Sequence, residues 1–114
     1  MMTRLYNEVI ELAKTEYERA SKNWGPTNHS AHESYAVLKE EMDEARMECI
    51  QTELWTDKYW TEVKNNNGVK QEEYIKEVYL HSLLAACEFI QTAAMAQKAL
   101  ATMRVHDTKA QGEH

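Results

Sequence analysis

Apart from Gly112 near the C-terminus, the residues that break helices are confined to two short stretches of this chain. Three glycines and one proline occur in 114 residues, and Gly25, Pro26 and Gly68 lie within residues 23–30 and 65–68. Alternating β-branched residues and hairpin turns, which are typical of strands, are nearly absent. The sequence therefore predicts an all-α fold in which the two stretches separate three helices.

Apolar residues recur every three or four positions in three segments, as expected for amphipathic helices. The segments cover residues 3–22, 30–63 and about 70–104. The second segment is long, so we allow for a kink or short break near residues 52–57. A chain of this length holds one domain, which we place at residues 1–104, followed by a polar C-terminal tail over residues 105–114.

Composition and charge disfavour several classes of protein. A formal net charge of −6 argues against an extended nucleic-acid surface, which needs a basic patch. No apolar run approaches the roughly 20 residues that span a bilayer, and acidic residues interrupt the N-terminus where a signal peptide would be apolar. We expect a cytoplasmic protein in which Cys49 and Cys87 are reduced and buried rather than bridged.

The short loop at residues 65–68 predicts that the second and third helices are antiparallel neighbours. If the turn centres near Asn67, facing residues have numbers that add up to about 134, because each helix advances about 1.5 Å per residue. Glu44 then faces a point near residue 90, and Glu88 a point near residue 46. This register places the middle of the third helix opposite the acidic part of the second.

The two hairpin helices carry apolar or aromatic residues on more than one face. One neighbouring helix covers one stripe, so a second stripe requires another partner. We expect two hairpins to pack into a four-helix-bundle-like homo-oligomer, a dimer or a tetramer, with a twofold interface near the loop. The residues concerned are Leu54, Trp55, Tyr59, Trp60 and Val63 in the second helix and Tyr74, Ile75, Val78, Tyr79, Leu80, Leu83 and Leu84 in the third.

A group of carboxylates is expected where the two helices face each other. Glu40, Glu41 and Glu44 lie within about one turn of the second helix, and Glu88 sits in an apolar run of the third. Acids at such spacing repel one another, so a proton, a basic side chain or a divalent cation should offset their charge. Mg²⁺, with Mn²⁺ as a substitute, prefers oxygen ligands of this kind. The alternatives are a solvated acidic face and pairing with a neighbouring basic side chain.

Other metal sites are disfavoured by the spacing of the available ligands. Di-iron bundles need a Glu-x-x-His motif on two helices, and this sequence has none. Zinc sites want cysteine or histidine at close spacing. His29 and His32 are three residues apart, but they flank a helix start and have no further ligand nearby in the sequence.

The two acidic motifs resemble the signature of the MazG-like all-α nucleoside triphosphate pyrophosphohydrolases, which reads EExxE on one helix and ExxD on the next. Glu40, Glu41 and Glu44 match the first half, and Glu88 opens the second half. The amino-acid sequence around both motifs is similar to the sequences of short phage and bacterial members of that group. The likeness covers roughly residues 29–100.

The resemblance implies a reaction and a set of site residues. A nucleoside triphosphate or deoxynucleoside triphosphate would lose pyrophosphate to give the monophosphate, with Mg²⁺ held on the phosphates. The implied catalytic residues are Glu40, Glu41, Glu44 and Glu88, and the implied metal ligands are Glu41, Glu44, Glu88 and Gln91. Candidates for binding the rest of the substrate, with packing as the alternative for each aromatic, are Lys39, Lys58, Lys98, Trp24 and Tyr35.

The chain departs from the family pattern at Gln91, which stands where the motif has aspartate, and in the gap of 43 residues between the two halves. An amide oxygen ligates Mg²⁺ without contributing charge, so binding should be weaker. Two other functions therefore stay open. One is a MazG-like nucleotide- or metal-binding module, or a protein inhibitor, that has lost turnover; the other is a structural helical oligomer with surface acids.

Overall fold

The computed structural model describes the backbone of residues 2–112 and the side chains of residues 2–107. Helix α1 spans Met2–Trp24, α2 spans Ala31–Lys64 and α3 spans Gly68–Gly112. The prediction of an all-α chain with three helices is confirmed. No helix within these described residues has the length and apolar character needed to cross a membrane.

The loop between α1 and α2 forms where the sequence predicts it. Gly25 has a φ of +88°, a left-handed conformation that costs glycine little, and its amide donates to the carbonyl of Ser21 at 2.9 Å. The hydroxyl of Tyr17 donates to the carbonyl of Pro26 at 2.7 Å. These contacts end α1 and hold the loop against its last turns.

Helix α2 begins with a capping arrangement around Ser30. The Ser30 hydroxyl accepts a hydrogen bond from the amide of Glu33 at 3.2 Å, and the Glu33 carboxylate accepts one from the amide of His29 at 3.3 Å. Two backbone donors that lack helical partners are thereby satisfied. The helix start is therefore encoded locally.

Helix α2 continues through residues 52–57, where the sequence analysis allowed for a break. The stretch contains no glycine or proline. The hydroxyl of Thr52 donates to the carbonyl of Glu48 at 2.8 Å, and that of Thr56 to the carbonyl of Thr52 at 2.7 Å. The hydroxyls are satisfied within the helix, so nothing interrupts its backbone ladder.

Helix α3 begins at an asparagine cap and extends further than predicted. Asn66 adopts a φ of 53°, and the side-chain oxygen of Asn67 accepts a hydrogen bond from the amide of Lys70 at 3.1 Å. The helix then runs to Gly112, so the backbone of residues 105–112, expected as a polar tail, is helical. No glycine or proline occurs between Gly68 and Gly112 to stop it.

Contacts divide the chain into two compact units, one made of residues up to Glu41 and from Phe89 onward, the other of Met42–Glu88. The single domain over residues 1–104 stays a prediction. We call the first the three-helix unit, since it contains α1, the start of α2 and the end of α3. We call the second the hairpin unit, since it contains the rest of α2 and α3 and their loop.

The core of the three-helix unit is unusually polar. Its buried residues include one alanine and four polar side chains, and Thr102 is only 2% exposed. Buried polar groups are stable when they are hydrogen-bonded, and the Thr102 hydroxyl donates to the carbonyl of Lys98 at 2.8 Å. The buried residues are Asn28, Ser34, Ala94, Lys98 and Thr102.

The hairpin unit buries little of its apolar surface. Of its residues, all within the described range, Ala45 alone is buried. Trp55 packs on Tyr74 with ring centroids 5.3 Å apart, which confirms that α2 and α3 face each other here. Cys49 and Cys87 are free but exposed, so their predicted burial is wrong. Two helices alone have no enclosed interior, and both thiols lie on outer faces.

Candidate functional site

In the hairpin unit, Glu44 of α2 and Glu88 of α3 bring their carboxylates together. An oxygen of one lies within 4.8 Å of an oxygen of the other. Glu44 is exposed, whereas Glu88 is half-buried. Two ionised carboxylates this close repel each other, and a divalent cation between them would offset the repulsion.

The surroundings of Glu88 oppose its ionisation. Burial raises the pKa of Glu88 above its usual value of 4.5, and the hydrogen bond with Glu44 and the negative charges of Glu44 and Glu48 raise it further. A nearby positive charge would reverse these effects by favouring the ionised form. Glu88 is therefore the acid of the hairpin unit that a bound cation would change most.

Glu41 lies one turn before Glu44 on α2 and shares its face. Glu41 is the last residue of α2 in the three-helix unit, and its side chain is half-buried. Glu40 is exposed and, as the preceding residue, points about 100° away around the helix axis. The structure thus aligns Glu41 with Glu44, while Glu40 lies on the adjacent face.

A histidine that the sequence analysis did not single out joins the two helices of the hairpin unit. His81 Nδ1 lies 2.6 Å from a carboxylate oxygen of Glu48, and its Nε2 lies 3.4 Å from one of Glu77. Glu48 follows Glu44 by one turn on α2 and acts on Glu88 through its charge. The signal was the four-residue spacing of Glu77 and His81, which places both on one face of α3.

In the three-helix unit, Gln91 is committed to α1. Its side-chain amide donates a hydrogen bond of 2.7 Å to a carboxylate oxygen of Glu16. The other oxygen of Glu16 lies 3.0 Å from Arg19, and the Glu16 side chain is 18% exposed. The amide group of Gln91 thus meets an acid, which an aspartate at this position would repel.

The predicted substrate-binding residues are spread along the chain. Lys98 is 8% exposed and belongs to the core of the three-helix unit, seven residues after Gln91 on the same face of α3. Trp24 and Tyr35 are 80% and 67% exposed, and Lys39 is exposed on α2. Trp24, Tyr35 and Lys39 are therefore accessible to a ligand, whereas Lys98 is buried.

Lys58 occupies a different part of the hairpin unit. Its ammonium lies 4.4 Å from the centre of the Trp55 ring, a cation–π contact. It follows Glu44 by 14 residues, about 21 Å along the helix axis. Lys58 therefore lies far from Glu44 along α2 and does not approach its carboxylate.

The donor atoms around Glu44 suit a hard divalent cation. Mg²⁺ binds oxygen at about 2.0–2.1 Å, so ligands on opposite sides of the ion lie about 4 Å apart. The limit of 4.8 Å fits such an ion after small side-chain movements, or with water completing the shell.

Comparisons with protein-family models, with curated proteins and with solved structures found no match to this chain.

Proposed function

We propose that this chain is a cytoplasmic, Mg²⁺-dependent nucleoside triphosphate pyrophosphohydrolase, which converts an NTP or dNTP to the monophosphate and pyrophosphate. The observation that carries the proposal is the contact of Glu44 with Glu88 across the hairpin unit. Two acids on facing helices repel each other, and Glu88 is half-buried, so a cation held between them would offset an unfavourable interaction. Resemblance to the MazG-like signature supplies the reaction.

In this proposal, Glu41, Glu44 and Glu88 hold the metal, and the carbonyl oxygen of Gln91 is a fourth candidate ligand. Bound Mg²⁺ would neutralise charge on the phosphates and lower the pKa of a coordinated water. The water oxygen forms a bond to phosphorus while the phosphorus–oxygen bond to pyrophosphate breaks. Glu40, which projects from the next face of α2, is the carboxylate left to take up the proton.

Two lysines support binding of the triphosphate. Lys98 has no side-chain ion pair among the described residues, although the chain carries a net charge of −6. A lysine in a polar core without a carboxylate partner is suited to an anionic ligand. Lys39 lies two residues before Glu41 and is exposed to solvent. Lys58 is left out, because of its distance from Glu44.

We also propose that the protein is a homo-oligomer, a dimer or tetramer formed through the hairpin unit. Trp60 and Tyr79 are 58% and 70% exposed, and many other large apolar side chains of this unit are at least two-fifths exposed. Monomers rarely leave so much contiguous apolar surface open. Two hairpins packed as a four-helix bundle would cover it. Others with this exposure are Met42, Met47, Ile50, Leu54, Val69, Ile75, Leu80, Leu83 and Leu84.

The decisive experiment is a screen of the common NTPs and dNTPs with Mg²⁺, in which released pyrophosphate is measured. The proposal expects Mg²⁺-dependent release that Glu44→Gln and Glu88→Gln each remove. A matched control is Glu53→Gln, which changes an exposed glutamate elsewhere on α2. Full activity in either site variant would contradict the proposed site. If the folded wild type releases no pyrophosphate from any nucleotide, the protein is not a pyrophosphohydrolase.

A binding module without turnover is the second candidate, and the hydrogen bond from Gln91 to Glu16 favours it. A side chain that is already engaged by α1 is less free to adjust to a metal, and it adds no negative charge. This module would bind nucleotide or metal as a sensor or as an inhibitor of another protein. Nucleotide binding without pyrophosphate release would select it over the enzyme.

A further inference from the structure

A cleft of about 250 Å³ opens in the three-helix unit between the first turns of α2 and the end of α3. It is smaller than the roughly 300 Å³ at which pockets for drug-sized ligands begin. It would hold several waters, each of which takes about 30 Å³, or one small ring system. The residues that line it belong to one unit and include Ser34, Tyr35, Leu38, Ala99, Met103 and His106.

The floor of the cleft is polar and only partly satisfied. Ser34 is 7% exposed, and its oxygen accepts a hydrogen bond of 2.8 Å from the side-chain amide of Asn28. Among the described residues, none accepts the hydroxyl hydrogen of Ser34. Asn28 is 6% exposed and does not itself line the cleft. An unpaired buried donor is costly, so a ligand that accepts the hydrogen of Ser34 gains from doing so.

The rest of the floor is held in place by the same network. The amide of Asn28 donates to the hydroxyl oxygen of Thr102 at 2.8 Å, and this hydroxyl donates to the carbonyl of Lys98. Thr102 lines the cleft, but its donor and acceptor are both used. The free donor at the floor is therefore that of Ser34, and its position is fixed by bonds that tie the loop before α2 to α3.

The walls of the cleft offer flat and apolar surfaces. Leu38, Ala99 and Met103 provide aliphatic and thioether contacts, and the rings of Tyr35 and His106 stand at exposed positions. Aromatic and imidazole rings stack on planar heterocycles with little dependence on sequence or exact identity. An apolar slot with stacking rings and one placed donor has the character of a small-molecule site.

We propose that this cleft binds the nucleobase of a nucleotide, with the Ser34 hydroxyl donating to the edge of the base. Ser34, Leu38 and Glu41 follow one another at spacings of four and three, so they share one face of α2. Ser34 and Glu41 are about 10 Å apart along the helix, which leaves room for the sugar between base and phosphates. The proposal rests on the proposed function for the identity of the ligand.

The test uses nucleosides, which have a base and sugar but no phosphate and so need no metal. Adenosine, guanosine, cytidine, uridine and thymidine are titrated without Mg²⁺ and followed by saturation-transfer NMR and calorimetry. At least one nucleoside should bind at millimolar concentration. Tyr35→Ala should lower the affinity for it roughly fivefold or more, because the substitution removes a stacking surface. Ala99→Leu, which fills the cleft, should abolish binding.

Ser34→Ala should lower the affinity for the preferred nucleoside and reduce discrimination among bases, because it removes the hydroxyl that donates to the edge of the base. Tyr6→Ala is the matched control, because Tyr6 is 65% exposed on α1 and does not line the cleft. It should leave nucleoside binding unchanged. Because Tyr35 is exposed, its variant keeps the test valid even where Ala99→Leu or Ser34→Ala fails to fold.

The outcomes separate this proposal from the proposed function. Nucleoside binding that responds to Tyr35→Ala in a protein that releases no pyrophosphate supports the cleft and refutes the enzyme. Pyrophosphate release by a protein that binds no nucleoside at several millimolar would contradict the proposal for the cleft and support the proposed enzyme activity. A cleft filled by a second copy of the chain would also exclude nucleosides, and Ala99→Leu would then lower the measured mass of the oligomer.

Discussion

The carboxyl groups of Glu44 and Glu88 meet across the hairpin unit, where an oxygen of each lies within 4.8 Å of an oxygen of the other. Two acids placed this close attract any source of positive charge. Protons and divalent cations therefore compete for the same oxygens. This competition leads to direct tests that need no knowledge of the substrate.

Mg²⁺ should raise the melting temperature of the protein, because a ligand that binds only the folded state stabilises it. At a concentration of 100 times Kd the gain is about 2.7 kcal/mol, which amounts to roughly 10 °C for a chain of this size. Glu88→Gln should remove the increment, as measured by thermal unfolding with and without Mg²⁺. Glu53→Gln should keep it. An unchanged increment in the Glu88 variant would exclude Glu88 from the metal site.

Glu88→Gln should also make the metal-free protein more stable at neutral pH. The pKa of Glu88 is raised in the folded state, so the native protein binds more protons than the unfolded chain between its usual value and the raised one. The resulting penalty is complete above the raised pKa and vanishes below the usual value. Urea unfolding at several pH values should show the advantage of the variant shrinking as the pH falls towards 4. An advantage that does not depend on pH would contradict the assignment.

Gln91→Asp should destabilise the three-helix unit. It replaces a hydrogen bond to the charged Glu16 with two acids in contact, a loss of about 1.5–3 kcal/mol. The double variant Glu16→Gln with Gln91→Asp exchanges the two groups and should recover most of the loss, as measured by urea unfolding. If the single variant is as stable as the wild type, the bond contributes nothing to stability. Because the double variant restores the acid of the family motif, it should also bind Mg²⁺ more tightly.

His81→Ala should destabilise the hairpin unit by about 1–3 kcal/mol, because it leaves Glu48 without its partner from α3. Glu48 would then add an unscreened negative charge beside Glu88, so the protein should bind Mg²⁺ at least as tightly as before. His32→Ala, at an exposed position near the start of α2, is the control and should be neutral. Thermal unfolding and a Mg²⁺ titration measure the two effects separately. Equal stability of the two variants would show that His81 does not join the helices in solution.

Light scattering at micromolar concentration should give a mass of at least twice 13.3 kDa. Trp60→Glu and Leu80→Glu each place a charge on the exposed apolar surface of the hairpin unit and should shift the mass towards the monomer. Tyr6→Glu is the control on α1. A monomeric wild type would refute the oligomer, and an oligomer that survives both hairpin variants would have its interface elsewhere.

The number of helices and the places where they end follow from local chemistry. Gly25 accepts a left-handed conformation, Pro26 prevents continuation, and Asn67 caps the next helix. Such features act over a few residues, so they can be read directly from the sequence. The extension of α3 to Gly112 differs from the predicted polar tail, because polarity alone does not end a helix and no glycine or proline precedes Gly112 in this segment.

The meeting of Glu44 and Glu88 was also predictable, because a short loop forces α2 and α3 to run side by side and the helical rise then sets the register. The prediction was less accurate for His81, which the register places opposite residue 53 and which bonds Glu48 instead. Long side chains reach along the helix by more than a turn. The register therefore identifies a neighbourhood, and the contact itself depends on packing.

The partner of Gln91 was decided by tertiary structure alone. Glu16 is 75 residues away in the sequence, and the loop of residues 25–30 does not dictate which face of α1 turns towards α3. The polar core around Asn28, Ser34 and Thr102 has the same origin. Helical periodicity determines which residues share a face. The free energy of packing three helices together determines which faces meet. That free energy adds contributions from residues far apart in the sequence, so no local segment predicts it.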